Sequence, residues 1–224
     1  ADNTASGYFT LRGNITGTKN SATGNYTLYN NTTGSGNTAS GYQTLYSNTT
    51  GSYNIASGYQ ALYSNTTQSG NIAIGDQALY FNASGNKNMA YGTSALKSNT
   101  SGLANTASGY FALFSNTTGN QNVGSGYFAL YLNTTGDNNS GHGSASLYNN
   151  TTGSANTGIG HYADVSTGDL TNATAIGYGA TVNASNKIRL GNSNITSIEG
   201  QVAFSNSSDR RLKKDIMNTR YGLN

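Results

Sequence analysis

Hydrophobic positions recur along this chain every 17 residues, a spacing that matches neither an ordinary amphipathic helix nor an alternating strand. One column contains Leu11, Leu28, Leu45, Leu62, Leu79, Leu96, Leu113, Leu130 and Leu147. A second column, six residues earlier, contains only small residues: Ala5, Ala22, Ala39, Ala56, Ala73, Ala90, Ala107, Gly124, Gly141 and Gly158. Because the spacing is kept without insertion or deletion, the sequence predicts a repeat protein in which every copy has the same shape.

Polar columns complete the repeat. A first asparagine column consists of Asn3, Asn20, Asn37, Asn54, Asn71, Asn88, Asn105, Asn122, Asn139 and Asn156, and a glycine follows each member four residues later. A second consists of Asn14, Asn31, Asn48, Asn65, Asn82, Asn99, Asn116, Asn133 and Asn150, and a glycine follows three residues later except at Gln68. We expect the asparagine amides to bond from copy to copy in ladders, and the glycines to turn the backbone at positive φ.

The length of the repeat selects the fold class. Seventeen residues are too few for a helical-hairpin repeat, which needs about 33, but they suit one coil of a β-solenoid. We expect each coil to have two short strands and two turns, with the small column and the leucines inside. The prediction is an all-β, parallel β-solenoid (β-roll) of about ten coils over residues 1–163, roughly 48 Å long at about 4.8 Å per coil.

Aromatic residues also form columns. Tyr29, Tyr46, Tyr63, Tyr80, Phe114, Tyr131 and Tyr148 directly follow the leucine column, and Tyr8, Tyr42, Tyr59, Tyr110 and Tyr127 directly follow the first glycine column. One interpretation is a ladder of rings that stack on one another at the surface. The other is burial between chains, since tyrosine combines a large apolar area with a polar tip. The thin core of such a coil favours the second interpretation.

The composition excludes several classes of protein. The 224 residues include no Cys and no Pro, but 30 Gly and 17 Tyr, and only 8% are charged. Disordered chains have the opposite balance of aromatic and charged residues. The absence of cysteine excludes a disulfide scaffold and a thiolate metal site. No apolar run reaches about 18 residues, so we expect no membrane insertion. The first residues already follow the repeat, which suggests a processed product or a fragment.

Charge is distributed unevenly. The net charge is +3, but residues 1–155 contain only Arg12, Lys19, Lys87, Lys97, Asp2, Asp76 and Asp137. The basic residues Arg210, Arg211, Lys213, Lys214 and Arg220 lie together near the end. A nucleic-acid interface needs basic residues spread along a surface, so we expect no nucleic-acid partner.

Metal and cofactor sites are not indicated. His142 and His161 are 19 residues apart and have no accompanying carboxylate cluster, so we interpret them as surface substitutions. Asp164 and Asp169 fall where the repeat breaks. These two acids alone are little evidence for a calcium-binding loop, so we favour the alternative interpretation of a solvated loop. The sequence predicts neither a metal nor a cofactor.

Every member of the second asparagine column begins an N-glycosylation acceptor sequence. Thr or Ser follows two residues later, at Thr16, Thr33, Thr50, Thr67, Ser84, Ser101, Thr118, Thr135 and Thr152, and the middle residue is never Pro. The candidates for covalent N-linked glycans are therefore Asn14, Asn31, Asn48, Asn65, Asn82, Asn99, Asn116, Asn133 and Asn150. The alternative is that the hydroxyls cap the turns. The sequence leaves both interpretations open.

The phrases NIAIG at 71–75 and NATAIGYGATVNASNKIRLG at 172–191 resemble the head domains of trimeric autotransporter adhesins. Those heads are left-handed parallel β-rolls, usually with shorter coils, and three rolls pack side by side. The resemblance implies a homotrimer. In the style of its repeat, the chain resembles these heads over residues 3–163. The repeat phrase around ALYSNTTG also looks like repeats in tail-fibre proteins of environmental bacteria and their phages.

The segment SNSSDRRLKKDI at 205–216 resembles the junction that opens the intramolecular chaperone domain of phage tail spikes and fibres, the endosialidase type. That domain assembles the fibre and then cuts itself off between Ser and Asp. The resemblance implies that Ser208 is the nucleophile, that the chain is cut before Asp209, and that Lys213 is the general base. Neighbouring cations, Arg210, Arg211 and Lys214, would lower the pKa of that lysine.

The resemblance also divides the chain. A solenoid over 1–163 is followed by a distal β-roll or neck segment over 164–208 and by a stub of the chaperone domain over 209–224. Because the stub is far shorter than a whole chaperone domain, we expect no enzyme beyond a single self-cleavage in a longer precursor.

Together these features predict an extracellular fibre with a structural and adhesive role, similar to a phage tail fibre or a bacterial surface adhesin. Its expected partners are two further copies of itself and a glycan or protein receptor on a cell surface. One alternative is a glycosylated filament protein without a specific receptor. Another is an ice-binding solenoid, since threonine pairs such as Thr49–Thr50 recur. Adjacent residues of a strand point to opposite sides, which weakens that alternative.

Overall fold

In the computed structural model, residues 2–198 are described, and they form strands and turns without any helix. The strands are β1 (Thr4–Ser6), β2 (Ser21–Thr23), β3 (Thr38–Ser40), β4 (Ile55–Ser57), β5 (Ile72–Ile74), β6 (Met89–Tyr91), β7 (Thr106–Ser108), β8 (Val123–Ser125), β9 (Ser140–His142), β10 (Thr157–Ile159), β11 (Asp164–Val165), β12 (Thr174–Ile176), β13 (Thr181–Val182) and β14 (Ile188–Leu190). All of them belong to one compact unit, Ala1–Ser193.

All strand pairs in this unit are parallel. Strands β1 to β10, β12 and β14 form one 12-stranded sheet in chain order, while β11 and β13 form a second, two-stranded sheet. Each residue of the first nine strands pairs with the residue 17 positions later, as Ala56 does with Ala73. The prediction of a parallel β-solenoid is thereby confirmed, with about eleven turns of the chain.

Each 17-residue coil has only one strand, of three residues, so the prediction of two strands per coil is wrong for most of the solenoid. The backbone angles give the reason. In the fourth coil φ is +133° at Gly58, +53° at Gln60 and +52° at Leu62, and this pattern recurs throughout the first nine coils. Alternate residues with positive φ cannot form an extended strand, so this side of the coil is a continuous series of turns.

The core is as thin as the sequence predicts. The leucine column is fully buried from Leu28 to Leu147, and so is nearly all of the small column. A further buried column of small residues directly precedes the leucine column and its equivalent in the tenth coil: Thr27, Thr44, Ala61, Ala78, Ala95, Ala112, Ala129, Ser146 and Ala163. One leucine and two small residues thus fill each coil, and full burial of such a leucine contributes about 1.5–3 kcal/mol.

The two glycine columns have different physical roles. The first has positive φ, and a Cβ on Gly58 would also lie 2.5 Å from the carbonyl oxygen of Gly75. The second does not have positive φ, contrary to our expectation. A Cβ on Gly34 would lie 2.5 Å from Asn31 Oδ1 and would clash with the carbonyl oxygen of Gly51. The second column is therefore glycine because neighbouring coils approach closely there.

The parallel sheet extends into the segment after residue 163. Strand β12 pairs with β10 at a spacing of 17 residues, and β14 pairs with β12 at a spacing of 14, as between Thr174 and Ile188. The main sheet therefore extends to Leu190.

Ser146 carries a buried hydroxyl in the core. Its Oγ has no hydrogen-bond partner within residues 2–198. The hydroxyl fits because the facing residue of the small column is Gly141. A Cβ on Gly141 would lie only 2.9 Å from that oxygen. We therefore expect Ser146→Ala to raise the free energy of unfolding by about 1–3 kcal/mol, because a buried unpaired hydroxyl carries that penalty.

Denaturant titration of the variant against the parent chain measures this change. The matched control is Ala129→Ser, which introduces the same hydroxyl at the equivalent position one coil earlier and should lower stability. A lower midpoint for Ser146→Ala would show that the hydroxyl has a partner in solution.

Candidate functional site: asparagine ladders and an aromatic face

The second asparagine column forms a ladder through the solenoid. Asn116 Nδ2 donates to Asn99 Oδ1 at 2.8 Å and to the carbonyl oxygen of Gly119 at 3.0 Å. Eight amide-to-amide bonds of 2.8–3.0 Å connect Asn14 to Asn150 in this way. The predicted ladder is confirmed, and both Nδ2 hydrogens of each buried member are used.

The first asparagine column bonds differently. Asn105 Oδ1 accepts the backbone amide of Asn122 at 2.9 Å, and Asn105 Nδ2 donates to the carbonyl oxygen of Gly119 at 2.8 Å. Its principal links therefore run from side chain to backbone rather than from amide to amide. The carbonyl of Gly119 receives one asparagine from each column, which fixes the turn between them.

A third ladder was missed in the sequence. It lies two residues before the first asparagine column, where a side-chain oxygen accepts the backbone amide of the preceding coil. Ser52 Oγ accepts Ser35 N at 3.0 Å, and Asp137 Oδ1 accepts Asn120 N at 2.6 Å. From the second coil to the tenth the column contains Ser, Thr, Asn or Asp except at Leu103, a pattern that could have revealed it.

These ladders bear on the glycosylation candidates. Asn31, Asn48, Asn65, Asn82, Asn99, Asn116, Asn133 and Asn150 are all completely buried, and Asn14 in the first coil is partly buried. A glycan would replace an Nδ2 hydrogen that already has an acceptor, and would need space that the adjacent coil occupies. The geometry therefore favours the alternative interpretation, in which the column serves the backbone.

Turn capping by the acceptor-sequence hydroxyls was the alternative interpretation, and among them only Ser84 Oγ is seen to donate to a backbone carbonyl within residues 2–198, that of Thr100 at 3.4 Å. Thr33 is exposed, and the neighbouring Thr32 is the residue whose Oγ1 donates to the carbonyl oxygen of Thr49, at 3.0 Å. The asparagine amide itself closes the turn. Pairs such as Thr49–Thr50 lie in these turns rather than on strands, so they do not form the flat strand face that ice binding would need.

Loss of one ladder amide should be costly in the middle of the solenoid. We expect Asn116→Ala to lower the free energy of unfolding by about 3 kcal/mol or more, because it leaves the buried Asn99 Oδ1 and one Nδ2 hydrogen of Asn133 without a partner and removes one of the two donors to the Gly119 carbonyl. Asn14→Ala, at the partly buried first coil, should cost about 1 kcal/mol or less. Denaturant midpoints of the two variants test this. Equal, small losses would contradict a structural role for the ladder.

The aromatic columns together form one surface, which we call the aromatic face. It comprises the residues five, six and nine positions after each member of the first asparagine column. Its aromatic members are Tyr8, Phe9, Tyr26, Tyr29, Tyr42, Tyr46, Tyr59, Tyr63, Tyr80, Tyr110, Phe111, Phe114, Tyr127, Phe128, Tyr131, Tyr148 and Tyr162. Contacts between columns, such as Tyr110 with Phe111 at 4.3 Å between ring centroids, join the rings within each coil, and the sixth coil, with Thr93, Ser94 and Lys97, has no ring on this face.

Rings of the aromatic face stack along the solenoid axis. Tyr46, Tyr63 and Tyr80 stack with nearly parallel ring planes, with centroids 5.2 and 5.1 Å apart and interplanar angles of 4°. Burial, followed by the neighbouring Tyr80 and Tyr46, raises the pKa of Tyr63. Such a stack covers the ring faces and leaves edges and hydroxyl tips outward. The first interpretation of the columns, stacking within the chain, is therefore observed. Tyr59 and Tyr127 remain 47% and 53% exposed.

The candidate metal ligands do not assemble into a site. Within residues 2–198, no group of three or more His, Asp, Glu or Cys side chains could hold a metal ion. His142 and His161 are exposed, and so is Asp169. The expectation of a solvated loop is wrong for Asp164. This residue begins β11 and is only 7% exposed. It takes the place of a leucine, and its carboxylate accepts Asn149 Nδ2 at 2.9 Å and Val165 N at 2.8 Å.

Burial raises the pKa of Asp164 from 3.8 to about 6, although the hydrogen bonds from Val165 and Asn149 act in the opposite direction. A carboxyl whose pKa is higher in the folded chain stabilises the fold below its unfolded pKa, and this contribution is lost as the pH rises through the folded pKa. Acidification from pH 7 to 4 should therefore stabilise the solenoid by about 2–3 kcal/mol through this group.

Urea titrations across this pH range, compared with those of Asp164→Asn, isolate the effect. The variant removes the titrating group and keeps a side chain of the same size. The difference in the free energy of unfolding between the two chains should therefore shrink as the pH falls. A difference that does not change with pH would contradict the assignment.

Ser208, Asp209 and Lys213 lie outside the described residues, so the structure does not address the predicted cleavage site. Within residues 2–198 no helix has the length and apolar character needed to cross a membrane. Comparison with protein-family models, with curated proteins and with solved structures returned no match.

Proposed function

We propose that this chain is a rigid segment of an extracellular fibre with a structural and adhesive role. The observation that carries the proposal is the unbroken parallel stacking of coils that, up to β12, all have the same length. Strand pairing, the two asparagine columns and the buried leucines repeat at the same positions from coil to coil. Bending such a stack would stretch several hydrogen bonds at once in every coil, which suits a spacer.

The dimensions support a spacer role. Twelve stacked strands at about 4.8 Å per step extend roughly 50 Å along the solenoid axis. Stability in such an array is approximately additive, because each coil contacts only its neighbours, so length can change without a new core. A fibre that must hold a binding surface away from a virion or a cell benefits from this property.

The aromatic face supports self-association. Monomeric soluble proteins rarely expose contiguous apolar patches larger than a few hundred Å², and larger patches usually mark an interface. The rings of this face are held in register by the stacked coils, so a partner would meet a flat, preformed surface. We propose that three parallel copies of the chain pack through it, as the resemblance to adhesin heads implies.

The remaining partners belong to the same proposal. A fibre of this kind, phage-like or bacterial, would contact a glycan or protein receptor on a cell surface. A single self-cleavage at Ser208 and Asp209, with Lys213 as base, would release the chaperone from a longer precursor. The glycosylated-filament alternative is less well supported, since eight of its nine acceptor asparagines are completely buried.

Sedimentation equilibrium tests the assembly. We expect a mass three times that of the 23.2 kDa chain. The double variant Tyr59→Glu and Tyr127→Glu should be monomeric but folded by circular dichroism, because it places carboxylates in the proposed interface. Tyr53→Glu is the matched control, since Tyr53 is 73% exposed and lies outside the aromatic face. A monomeric parent chain would contradict the proposed assembly.

A further inference from the structure

Two residues of opposite charge interrupt the middle of the aromatic face. Asp76 occupies the column that contains Tyr59, and Lys97 occupies the column that contains Tyr80. The only other charged member over residues 3–148 is Arg12 in the first coil, whose guanidinium lies 4.9 Å from the ring centroid of Phe9. The two central charges are therefore exceptions on an otherwise uncharged surface.

Asp76 and Lys97 lie on consecutive coils, one at each edge of the face. Ser94, in the middle column, connects them through the backbone. Its amide donates to the carbonyl oxygen of Asp76 at 2.8 Å, and its carbonyl oxygen accepts the amide of Lys97 at 3.3 Å. The Asp76 and Lys97 side chains are thus attached to neighbouring parts of the backbone, on either side of the column that contains Ser94.

Neither charge is neutralised within the part of the chain that the structure describes. Asp76 is exposed, and its carboxylate accepts no hydrogen bond from residues 2–198. Lys97 is half-buried, and its Nζ lies 5.9 Å from the ring centroid of Phe114. A buried interface around these residues would therefore need to supply each charge with a partner.

Symmetry determines which residues can meet. In a closed ring of parallel chains the rotation axis runs along the solenoid, so one edge of each face meets the opposite edge of the next face. The column of Asp76 then meets the column of Lys97. In an antiparallel pair, a two-fold axis lying in the interface and perpendicular to the solenoid places each column against itself. Only the parallel arrangement brings the opposite charges together.

Closed rotational symmetry also forbids any shift of one chain along the axis relative to the next. With no shift, Lys97 of one chain is a single coil, about 4.8 Å, above Asp76 of its neighbour. The flexible four-carbon stem of lysine spans that offset.

We propose that Asp76 and Lys97 form ion pairs between neighbouring copies of this chain and fix them parallel and in register. This inference rests on the proposed assembly through the aromatic face. The stacked rings repeat in nearly every coil, so on their own they would fit equally well in an open, staggered arrangement in which each chain is shifted by one coil. The charge pair is unique along the face and therefore supplies the register that the rings lack. Electrostatic complementarity of this kind contributes to specificity more than to affinity.

Cross-linking tests the register directly, because the chain contains no cysteine. Chains with Asp76→Cys and Lys97→Cys, carrying different tags, are co-assembled and oxidised. A disulfide requires Cα atoms within about 7 Å, and the proposed offset of one coil, about 4.8 Å, lies inside that limit where the two columns touch, so we expect a mixed disulfide. The control pairs Asp76→Cys with Arg12→Cys, four coils away, and should give none. A disulfide between Asp76→Cys and Thr93→Cys chains, but not with Lys97→Cys, would indicate antiparallel packing and overturn the proposal.

Charge reversal tests the ion pair. We expect Asp76→Lys or Lys97→Glu alone to raise the concentration for half-assembly about tenfold at low salt, and the double reversal to restore it to within about threefold. Lys87→Glu makes the same charge change on an exposed residue outside the face and should have no effect. The differences should diminish at high salt.

The outcomes separate the two proposals. Assembled parent chains with no mixed disulfide, and with unchanged assembly in both single reversals, would overturn the ion pair and leave the assembly intact. A monomeric parent chain would overturn both.

Discussion

The buried side-chain amide of asparagine is the interaction on which this solenoid depends. Each coil encloses little more than one leucine and two small residues, so apolar burial alone cannot fix where the turns lie. Amides such as that of Asn116 use both hydrogens, one toward the preceding coil and one across their own turn. This arrangement requires a close approach of neighbouring coils, which explains glycine at positions such as Gly119, and it requires every coil to have the same length.

The aromatic face follows from the same constraint. Once coils of equal length are stacked in register, any position outside the core becomes a column, and aromatic residues in a column stack at about the coil spacing. Tyr63 and Tyr80 are examples. The proposed assembly uses this surface, and the proposed ion pair uses its two exceptions, Asp76 and Lys97. The repeat thus supplies a flat surface, while departures from the repeat supply specificity.

Most features that repeat were predictable from the sequence, although the third ladder was missed, and features set by backbone angles or by single residues were not. The period alone indicated the parallel register, the buried leucines and the asparagine ladder. The single strand per coil was missed because Gln60 and Leu62 have positive φ, which nothing in their chemistry signals. The burial of Asp164 was missed because a charged residue at a break in a repeat usually indicates a loop. The relation between Asp76 and Lys97 became visible only when the columns were placed side by side.

Hydrogen exchange of the asparagine side-chain amides tests the central claim most directly. Nuclear magnetic resonance of the native chain can follow the Nδ2 protons of the second column one coil at a time. If the ladder holds the coils together, these protons are strongly protected from Asn31 to Asn150 and less protected at Asn14, which is only partly buried. Exchange at the rate of free amides throughout the column would contradict the account.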